Sequence, residues 1–307
     1  MSVQRSEGGI VVSSEPFNLL TAGHNGCAGC CDALAAKYVL MAVGPDCIVV
    51  NPTGCLEVMT TPFPRSAWNV PWIHSLFENG GAVASGIEAA LIATGRKGNT
   101  KVIGMGGDGS TMDIGIGALS GMFERNHDIM YVCIDNEAYM NTGVQRSSGT
   151  PFGASTSTSP SGKDSYGNTT NKKDMPAIMV AHGSPYVATT SIGYANDMMK
   201  KVKKAADTVG STYIHAHAPC PTGWGFDSSK TIEMAKLAVD CCLWPLYEIE
   251  NGEITSVRKI REPKPVEEYL KAQSRFKHLF KMEGGDKEIE KIQQFADKNI
   301  AKYGLDK

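Results

Sequence analysis

Two polar residues that could bind a metal ion, Asp108 and Asn136, each stand shortly after an apolar run of the sequence. The first run, Val102 to Met105, leads into the glycine turn that contains Asp108, and Asn136 follows the second run, Ile129 to Ile134. Glycines let backbone N–H groups approach an anion, and the amino terminus of a helix favours negative charge. Carboxylate and amide oxygens are hard ligands that suit an Mg²⁺ ion holding phosphate oxygens. The pattern therefore predicts a site for a diphosphate and magnesium.

A strand, a glycine turn, a helix and a second strand must position these two side chains. The small residues from Asp113 to Met122 predict a helix that packs closely on a sheet. In parallel α/β sheets, ligands bind at the carboxyl ends of the strands, and both polar residues would lie there. We therefore expect the diphosphate site at that edge of a parallel sheet.

Strands and helices alternate along the chain, which predicts an α/β fold with one doubly wound parallel sheet. We expect residues 1–250 to form this domain, and residues 251–307 a charged C-terminal extension with one helix. The predicted strands cover 46–51, 102–105, 129–134, 186–191, 211–217 and 246–249, and the predicted helices 32–43, 74–94, 113–122, 175–182, 194–209, 230–242 and 287–302.

The segment from Gln145 to Lys173 is rich in Ser, Thr, Gly and Pro and poor in apolar residues. Its composition alone is typical of a disordered linker. A long loop inside a compact domain is more often functional or held by a partner, so both interpretations stay open.

The chain has nine cysteines, an odd number that argues against a complete disulfide framework. Four of them lie in apolar runs and are predicted to be small core residues: Cys47, Cys133, Cys241 and Cys242. Cys31 adjoins a motif but opens a helix. The other four stand in turns: Cys27, Cys30, Cys55 and Cys220. Four thiolates on turns suit either structural zinc or an iron–sulfur cluster. One close pair and two distant singles favour [4Fe–4S] over zinc, while four unrelated thiols remain an alternative.

Charge and hydropathy limit the partners of the protein. A formal net charge of −2 gives no reason to expect binding to nucleic acid or to an anionic membrane. No apolar run reaches the ~18 residues of a membrane span, and the first residues lack the apolar core of a signal peptide. The first 20 residues are interpreted as a loose leader with one apolar patch, Ile10 to Val12. We expect a cytoplasmic protein.

The segments GDGS and DNEAYMNTG resemble the thiamine-diphosphate (TPP) signature. The form with Asn-Thr-Gly is similar to that of the TPP-binding β subunit of 2-oxoacid:ferredoxin oxidoreductases. The segments around the four turn cysteines, GHNGCAGC, NPTGCLEV and APCPTGWGF, also resemble this family, and the resemblance extends over residues 23–276. The chain departs from the family at Asn25, where Arg is common, at Asp32, where Glu is common, and at Gly80-Gly81, where Ala-Ala is common.

The resemblance implies a TPP-binding fold and a role for particular residues. Mg²⁺ would be held by Asp108, by the side chain of Asn136 and by the carbonyl of Ala138, and Asn141 would be the catalytic residue that reaches the thiazolium ring and the substrate. The residues that would contact the diphosphate or another part of the cofactor are Gly107, Gly109, Ser110, Asp32 and Cys55. The [4Fe–4S] cluster would be bound by Cys27, Cys30, Cys55 and Cys220.

The resemblance also implies an activity and its partners. The expected reaction is the oxidative decarboxylation of a 2-oxoacid, with pyruvate as the default substrate, coenzyme A as acyl acceptor and ferredoxin as electron acceptor. Oxalate and branched 2-oxoacids are alternative substrates. Other subunits would supply further clusters and the Glu that activates thiamine, and the C-terminal extension would wrap on one of them. A non-redox TPP decarboxylase or ligase, and a zinc-stabilised nucleotide-binding module, are the alternative functions.

Several polar residues near the motifs are interpreted as structural. His24 is expected to bond a loop carbonyl, and Glu57 and Glu78 are not assigned to thiamine activation. Arg146 is the cation expected close to the cofactor, in the loop that follows Asn141. A 2-oxoacid carboxylate prefers a bidentate arginine, so substrate selectivity is predicted to come mostly from other subunits.

Overall fold

A computed structural model describes residues 18–306, and the predicted apolar patch of the leader lies outside them. The strands, in chain order, are β1 Cys47–Pro52, β2 Trp72–Ser75, β3 Lys101–Gly107, β4 Ile129–Asp135, β5 Ser161–Gly162, β6 Ser165–Tyr166, β7 Tyr186–Ser191, β8 Thr212–His217, β9 Tyr247–Glu250 and β10 Glu253–Val257. The α-helices are α1 Cys31–Val43, α2 Cys55–Thr60, α3 Gly80–Ala93, α4 Ile116–Glu124, α5 Met175–Ala181, α6 Ala195–Asp207, α7 Pro221–Trp224, α8 Thr231–Asp240, α9 Val266–Lys271 and α10 Gly285–Tyr303.

One eight-stranded sheet forms the centre, with the strand order β10-β9-β7-β8-β4-β3-β1-β2. Its six strands from β7 to β2 pair in parallel, whereas β9 and β10 pair antiparallel at one edge. Helices α1 and α6 pack together on one face, and α3, α4 and α5 cover the other. The predicted α/β fold with a doubly wound, mostly parallel sheet is confirmed.

The middle strands β3 and β4 are buried along nearly their whole length, as expected for parallel strands covered on both faces. Their register places Gly107 beside Ile134, so both strands end at the same edge of the sheet. The glycine turn after β3 and the polar residues after β4 are therefore neighbours, as the sequence predicts.

The predicted helix over 74–94 is wrong at its start. Trp72–Ser75 is an edge strand that pairs in parallel with β1, and the helix begins only at Gly80. The strand is short and mixes apolar with polar residues. It therefore shows no periodicity that could distinguish it from the helix that follows. The helix predicted from Asp113 likewise begins as a π-helical turn, Gly109–Asp113, before α4.

The segment 145–173 is ordered against the carboxyl edge of the sheet and contains the short hairpin of β5 and β6. The Asn168 side-chain amide donates to the carbonyls of Thr150 and Thr170, both at 2.9 Å. A Cβ added to Gly149 would lie 2.8 Å from a carboxylate oxygen of both Asp108 and Asp135. The interpretation as a disordered linker is therefore wrong, because the backbone of this loop packs against buried carboxylates.

Residues beyond 250 are folded onto the rest of the chain. Strand β10 pairs with β9, and the extension shares an apolar cluster with the domain in which Phe276, Ile292 and Leu305 pack with Trp224. The extension therefore completes a core of its own chain.

Within residues 18–306, no helix combines the length and the apolar character that a membrane span requires.

Candidate functional site

Asp108 lies at the carboxyl end of β3, where the glycine turn becomes the π-helical turn. Its side chain is 1% exposed and accepts a hydrogen bond from the hydroxyl of Ser147 in the ordered loop. Burial, and then the negative charge of Asp135, raise the pKa of Asp108 well above its usual value. None of the ion pairs formed within residues 18–306 includes Asp108. A buried carboxylate with a raised pKa and no ion pair is a strong candidate to bind a cation.

The turn around Asp108 needs glycine for close packing. A Cβ added to Gly109 would lie 2.3 Å from the ring of Tyr139, so this ring rests directly on the backbone of the turn. The hydroxyl of Ser110 donates to the carbonyl of Gly107 at 3.1 Å and closes the turn. The three residues predicted to contact the diphosphate therefore lie in the same closely packed turn as Asp108. They are Gly107, Gly109 and Ser110.

Asn136 follows β4 and is almost fully buried. Its Nδ2 donates to Oδ2 of Asp32 at 3.2 Å, and its backbone carbonyl accepts from Trp224 Nε1 at 2.9 Å. Its Oδ1 is buried and has no hydrogen-bond partner among the described residues. An acceptor oxygen left in this state fits a metal ligand, because a cation would satisfy it.

The hairpin after Asn136 carries the other two residues assigned by resemblance. Ala138 is buried, whereas Asn141 is exposed near the tip of the hairpin that the Tyr139–Gln145 bridge closes. Asp108 and Asn136 are thus placed at one edge, and Asn141 stands out from it towards solvent.

Asp32 connects this edge of the sheet with the cysteine turn. It is buried at the start of α1, and burial raises its pKa to about 7, while the hydrogen bond from Asn136 lowers it. Its charge in turn raises the pKa values of three of the predicted cluster thiols, Cys30, Cys55 and Cys220. Asp32 therefore lies between the predicted magnesium ligands and the predicted cluster ligands.

The four turn cysteines are free thiols in one neighbourhood of the surface. Cys27 is exposed, and the other three are half-buried. The four cysteines predicted to be core residues are buried, and Cys31 is buried as well. The pKa of Cys55 is raised first by burial and then by the charges of Asp32, Cys220, Cys30 and Cys27, so all four thiols lie close to one another. Burial is also the main cause that raises the pKa of Cys30 to about 12 and of Cys220 to about 11.

The four thiols do not already form a coordination sphere. Over residues 18–306, no group of three or more His, Cys, Asp or Glu side chains has the geometry of a metal site. The chemistry of the donor set nevertheless fits an iron–sulfur cluster, because thiolates on turns are the usual ligands of such clusters. The uncompensated Asp108 and the free Oδ1 of Asn136 likewise fit Mg²⁺.

A second group of buried charges, which we call the charge network, was not predicted from the sequence. It contains Asp135, Glu137, Lys172, His215 and Arg275. Lys172 Nζ lies 2.9 Å from Asp135 and 2.7 Å from Glu137, and Arg275 contacts Glu137 at 2.5 Å. His215 Nε2 lies 2.9 Å from Asp135. Although burial alone would raise them, these cationic neighbours lower the pKa values of both carboxyl groups.

One sequence signal could have indicated this network. His215 and His217 stand two residues apart in β8, so they point to the same face of the sheet. Two histidines within an otherwise apolar buried strand require polar partners on that face. The cationic partners come from distant segments, and no local pattern identifies them.

The other polar candidates behave as structural residues. Nδ1 of His24 accepts from the backbone N–H of Gly26 at 3.3 Å, rather than bonding a loop carbonyl as predicted. Glu57 lies 3.6 Å from His74. Arg146 donates to the hydroxyl of Thr170 at 2.7 Å.

Comparison with known proteins agrees with this geometry. Residues 52–216 match the family described as thiamine pyrophosphate enzyme, C-terminal TPP binding domain. Pyruvate synthase subunit PorB of Methanosarcina barkeri is 72% identical over 290 residues, which cover 94% of this chain and 98% of that protein. Ketoisovalerate oxidoreductase subunit VorB of Pyrococcus abyssi is 47% identical over 281 residues, covering 90% and 89%.

A solved structure shares the fold. The 2-oxoglutarate:ferredoxin oxidoreductase from Magnetococcus marinus superposes with a TM-score of 0.57 at 22% identity, covering 73% of this chain and 81% of that chain. The parallel sheet and the matched domain define a thiamine-diphosphate enzyme. The chain belongs to the β-subunit family of the 2-oxoacid:ferredoxin oxidoreductases, so the resemblance seen in its sequence is confirmed.

Proposed function

We propose that this chain is the TPP- and cluster-binding subunit of a complex that oxidatively decarboxylates pyruvate. Relatives that are 47% to 72% identical are named pyruvate synthase subunits. With pyruvate, the products are acetyl-CoA and CO₂, and two electrons pass to ferredoxin. Branched 2-oxoacids and oxalate are the alternative substrates, and the Pyrococcus abyssi relative is named for ketoisovalerate.

The observation that carries the proposal is a pair of buried oxygen-bearing side chains at the carboxyl edge of the sheet that form no ion pair within the described part of the chain. Asp108 has no cationic partner, and Oδ1 of Asn136 has no hydrogen-bond donor, among residues 18–306. The neighbouring carboxylates Asp135 and Glu137 are both paired with cations, so the lack of partners is confined to Asp108 and Asn136. A bound Mg²⁺ would satisfy both oxygens at once.

We assign the cofactor contacts residue by residue. Asp108, the Asn136 side chain and the Ala138 carbonyl would hold Mg²⁺, and Asn141 would contact the substrate. The backbone turn of Gly107, Gly109 and Ser110 would bind the diphosphate, with Asp32 and Cys55 beside the cofactor. TPP, when bound, supplies the electron sink for decarboxylation. The chain's own contribution is to fix the diphosphate end and to exclude water through the ordered loop that covers Asp108.

We assign the [4Fe–4S] cluster to Cys27, Cys30, Cys55 and Cys220. Such a cluster supplies transfer of single electrons. The position of Asp32, bonded to Asn136 and close to three of these thiols, supports a short route between the two cofactors.

The partners follow from the same proposal. Other subunits would complete the active site, ferredoxin would accept the electrons, and coenzyme A would accept the acyl group. The outer surface of the C-terminal extension is proposed to contact one of these subunits. The complex is proposed to be cytoplasmic.

Anaerobic purification of the whole complex tests the function. We expect a brown, oxygen-labile protein that needs TPP to reduce ferredoxin. Reduction should be fastest with pyruvate and coenzyme A and slower with oxalate or branched 2-oxoacids. A colourless complex that decarboxylates without reducing ferredoxin would instead indicate a non-redox TPP enzyme. A colourless, zinc-containing complex without bound TPP would indicate a nucleotide-binding module.

Substrate selectivity is proposed to come mainly from the partner subunits. Arg146 is bonded to Thr170, and Lys172 is shared by two carboxylates, so the cations nearest the site are already occupied. A hybrid complex that combines this chain with partner subunits of a relative of different specificity should follow the partners. If the hybrid keeps the original substrate, Asn25 or Arg146 determines the selectivity.

A further inference from the structure

Glu137 stands between two residues that we assign to Mg²⁺, Asn136 with its side-chain oxygen and Ala138 with its backbone carbonyl. The backbone angles of Glu137 therefore determine how these two ligands are directed relative to each other. Its φ is 69°, in the left-handed region that residues with a side chain adopt infrequently. In a residue other than glycine, such an angle persists only where the surrounding structure holds it.

Two cations from distant segments hold the side chain of Glu137. The carboxylate is buried, with Lys172 Nζ 2.7 Å from Oε1 and Arg275 Nη2 2.5 Å from Oε2. Lys172 belongs to the ordered loop, and Arg275 to the C-terminal extension. Because each carboxylate oxygen has its own cation, the side chain cannot turn away without leaving buried charges unpaired, which is costly.

The backbone around Glu137 is held by side chains as well. Its N–H donates to Oδ1 of Asp135 at 2.9 Å, and its carbonyl accepts from the hydroxyl of Thr150 at 2.8 Å. The carbonyl of Asn136 accepts from Nε1 of Trp224 at 2.9 Å. These three hydrogen bonds fix the peptide groups on both sides of the Glu137 Cα, and so they fix its left-handed angle.

Arg275 connects the contacts to the side chain with those to the backbone. Its guanidinium carbon lies 3.7 Å from the centroid of the Trp224 ring, so one residue both pairs with Glu137 and supports the ring that holds the Asn136 carbonyl. Arg275, Trp224 and Lys172 are not among the residues assigned to Mg²⁺, TPP or the cluster. The contacts of the cofactors therefore do not explain why these side chains converge on one strained residue.

We propose that Glu137 is a positioning residue, which holds the backbone after β4 in the conformation that lets Asn136 and Ala138 coordinate Mg²⁺ together. The inference rests on the proposed magnesium site. Relaxation of φ to its ordinary range would rotate Ala138 relative to Asn136 and turn the carbonyl away from the ion. The C-terminal extension takes part through Arg275, and it thereby supports cofactor binding without contact with the cofactor.

A comparison of Glu137→Ala with Glu137→Gly in the purified complex tests the proposal. Both variants lose the carboxylate and its ion pairs, but only glycine adopts a left-handed angle without steric cost. Calorimetric titration should show affinity for Mg²⁺ and TPP about ten- to a hundredfold lower in Glu137→Ala, and a smaller loss in Glu137→Gly. Affinity equal to that of the original protein in a folded Glu137→Ala complex would overturn the proposal, and so would a larger loss in Glu137→Gly.

Mn²⁺ in place of Mg²⁺ gives a second readout, which does not depend on turnover. Both ions prefer oxygen ligands, so Mn²⁺ should occupy the same site. Electron–nuclear double resonance in deuterated water counts the water molecules bound to Mn²⁺. Glu137→Ala should have at least one more than the original protein, because water would replace the carbonyl of Ala138. An equal number would contradict the positioning role.

Two control variants separate this inference from other effects. Asn251, in the turn between β9 and β10, also has a left-handed φ, of 49°, and lies away from the proposed site. Asn251→Ala should lower stability and leave the affinity for Mg²⁺ and TPP unchanged. Unchanged affinity in Asp108→Asn would overturn the proposed magnesium site, and the positioning role with it. Loss of affinity in Asp108→Asn but not in Glu137→Ala would overturn the positioning role alone.

Glu137→Gln decides the question if Glu137→Ala does not fold. It keeps the length of the side chain and removes the charge that Lys172 and Arg275 share. It should bind Mg²⁺ and TPP more weakly than the original protein and gain a water molecule on Mn²⁺. An affinity and a water count that both equal those of the original protein would overturn the proposal.

Discussion

Two sets of buried carboxylates lie at the same edge of the sheet and have opposite electrostatics. Asp135 and Glu137 are paired with Lys172 and Arg275, and their pKa values are lowered. Asp108, beside them, has no such partner, and its pKa is raised. The chain thus supplies its own cations for Asp135 and Glu137, whereas Asp108 forms no ion pair within residues 18–306 and is the residue we propose to bind Mg²⁺. If the proposal is right, the difference separates carboxylates that stabilise the fold from one that binds an ion, although all three are buried.

The four thiols proposed to bind the cluster resemble Asp108 in one respect, because no cationic side chain within residues 18–306 pairs with them. Cys220→Ser is expected to remove iron and to abolish ferredoxin reduction, while TPP still binds. Iron analysis and TPP titration of the purified complex measure the two effects. Cys241→Ser, which changes a buried thiol bonded to the Pro265 carbonyl, is the control and should retain full iron. Full iron in Cys220→Ser would place the fourth ligand elsewhere.

Lys172→Met should strongly destabilise the charge network. It leaves Asp135 and Glu137 buried without their shared cation, and loss of one partner of a buried pair costs about 3–5 kcal/mol. Urea unfolding of the complex measures the change. Lys203→Met removes one partner of the exposed pair with Asp207 and should cost less than about 1 kcal/mol. Equal costs for the two variants would show that the network is not structural.

Asp108→Asn should have the opposite pattern of effects: stability should be kept, and cofactor binding should be lost. Removal of an uncompensated buried charge should leave the free energy of unfolding of the cofactor-free protein unchanged or increased at pH 7. Affinity for TPP and Mg²⁺ should fall at least about a hundredfold, because even residues behind metal ligands contribute ten- to a hundredfold. Calorimetric titration measures the affinity. Unchanged affinity would remove Asp108 from the proposed site.

The smallest effect is expected at the opposite end of β4. Asp128 contacts Lys97 at 2.9 Å and Lys101 at 2.6 Å, and although burial opposes it, these hydrogen bonds lower its pKa. Asp128→Asn should cost about 1 kcal/mol at pH 7, because Asp128 itself and Lys97 are partly exposed. A carboxyl group with a lowered pKa stabilises the fold above its unfolded pKa and loses this effect as pH falls through the folded pKa. The difference between variant and original should therefore disappear in acid, and a difference that persists there would exclude the ion pair as its cause.

The sequence could predict that the residues proposed to bind magnesium and the diphosphate lie at one edge of the sheet, because each follows a strand directly. Asp108 and Asn136 each follow their own strand, and parallel pairing of β3 and β4 brings the strand ends together. The charge network could not be predicted in this way. Lys172 and Arg275 come from the ordered loop and the C-terminal extension, and only the folded chain places them beside Asp135 and Glu137.

The periodicity of the sequence also could not predict the edge strand β2 or the fold of residues 145–173. In both segments the structure depends on neighbours that are distant in sequence, namely β1 for the strand and the buried carboxylates for the loop. Its amino-acid composition shows that such a segment has few apolar residues, but it does not show which surface of the protein the segment packs against.

The hydrogen bond between Asp32 and Asn136 determines which way a single amide group can face. A side-chain amide can rotate by half a turn and exchange its oxygen with its nitrogen at little steric cost. An ionised Asp32 only accepts, so it holds the nitrogen of Asn136 on its own side and leaves the oxygen on the other side, buried and without a hydrogen-bond partner among the described residues. Asp32→Asn would remove this constraint and permit a rotated amide that presents N–H groups to an incoming cation. Asp32 therefore determines which of two nearly isosteric arrangements the Asn136 amide adopts, and this is the arrangement that the proposed magnesium site requires.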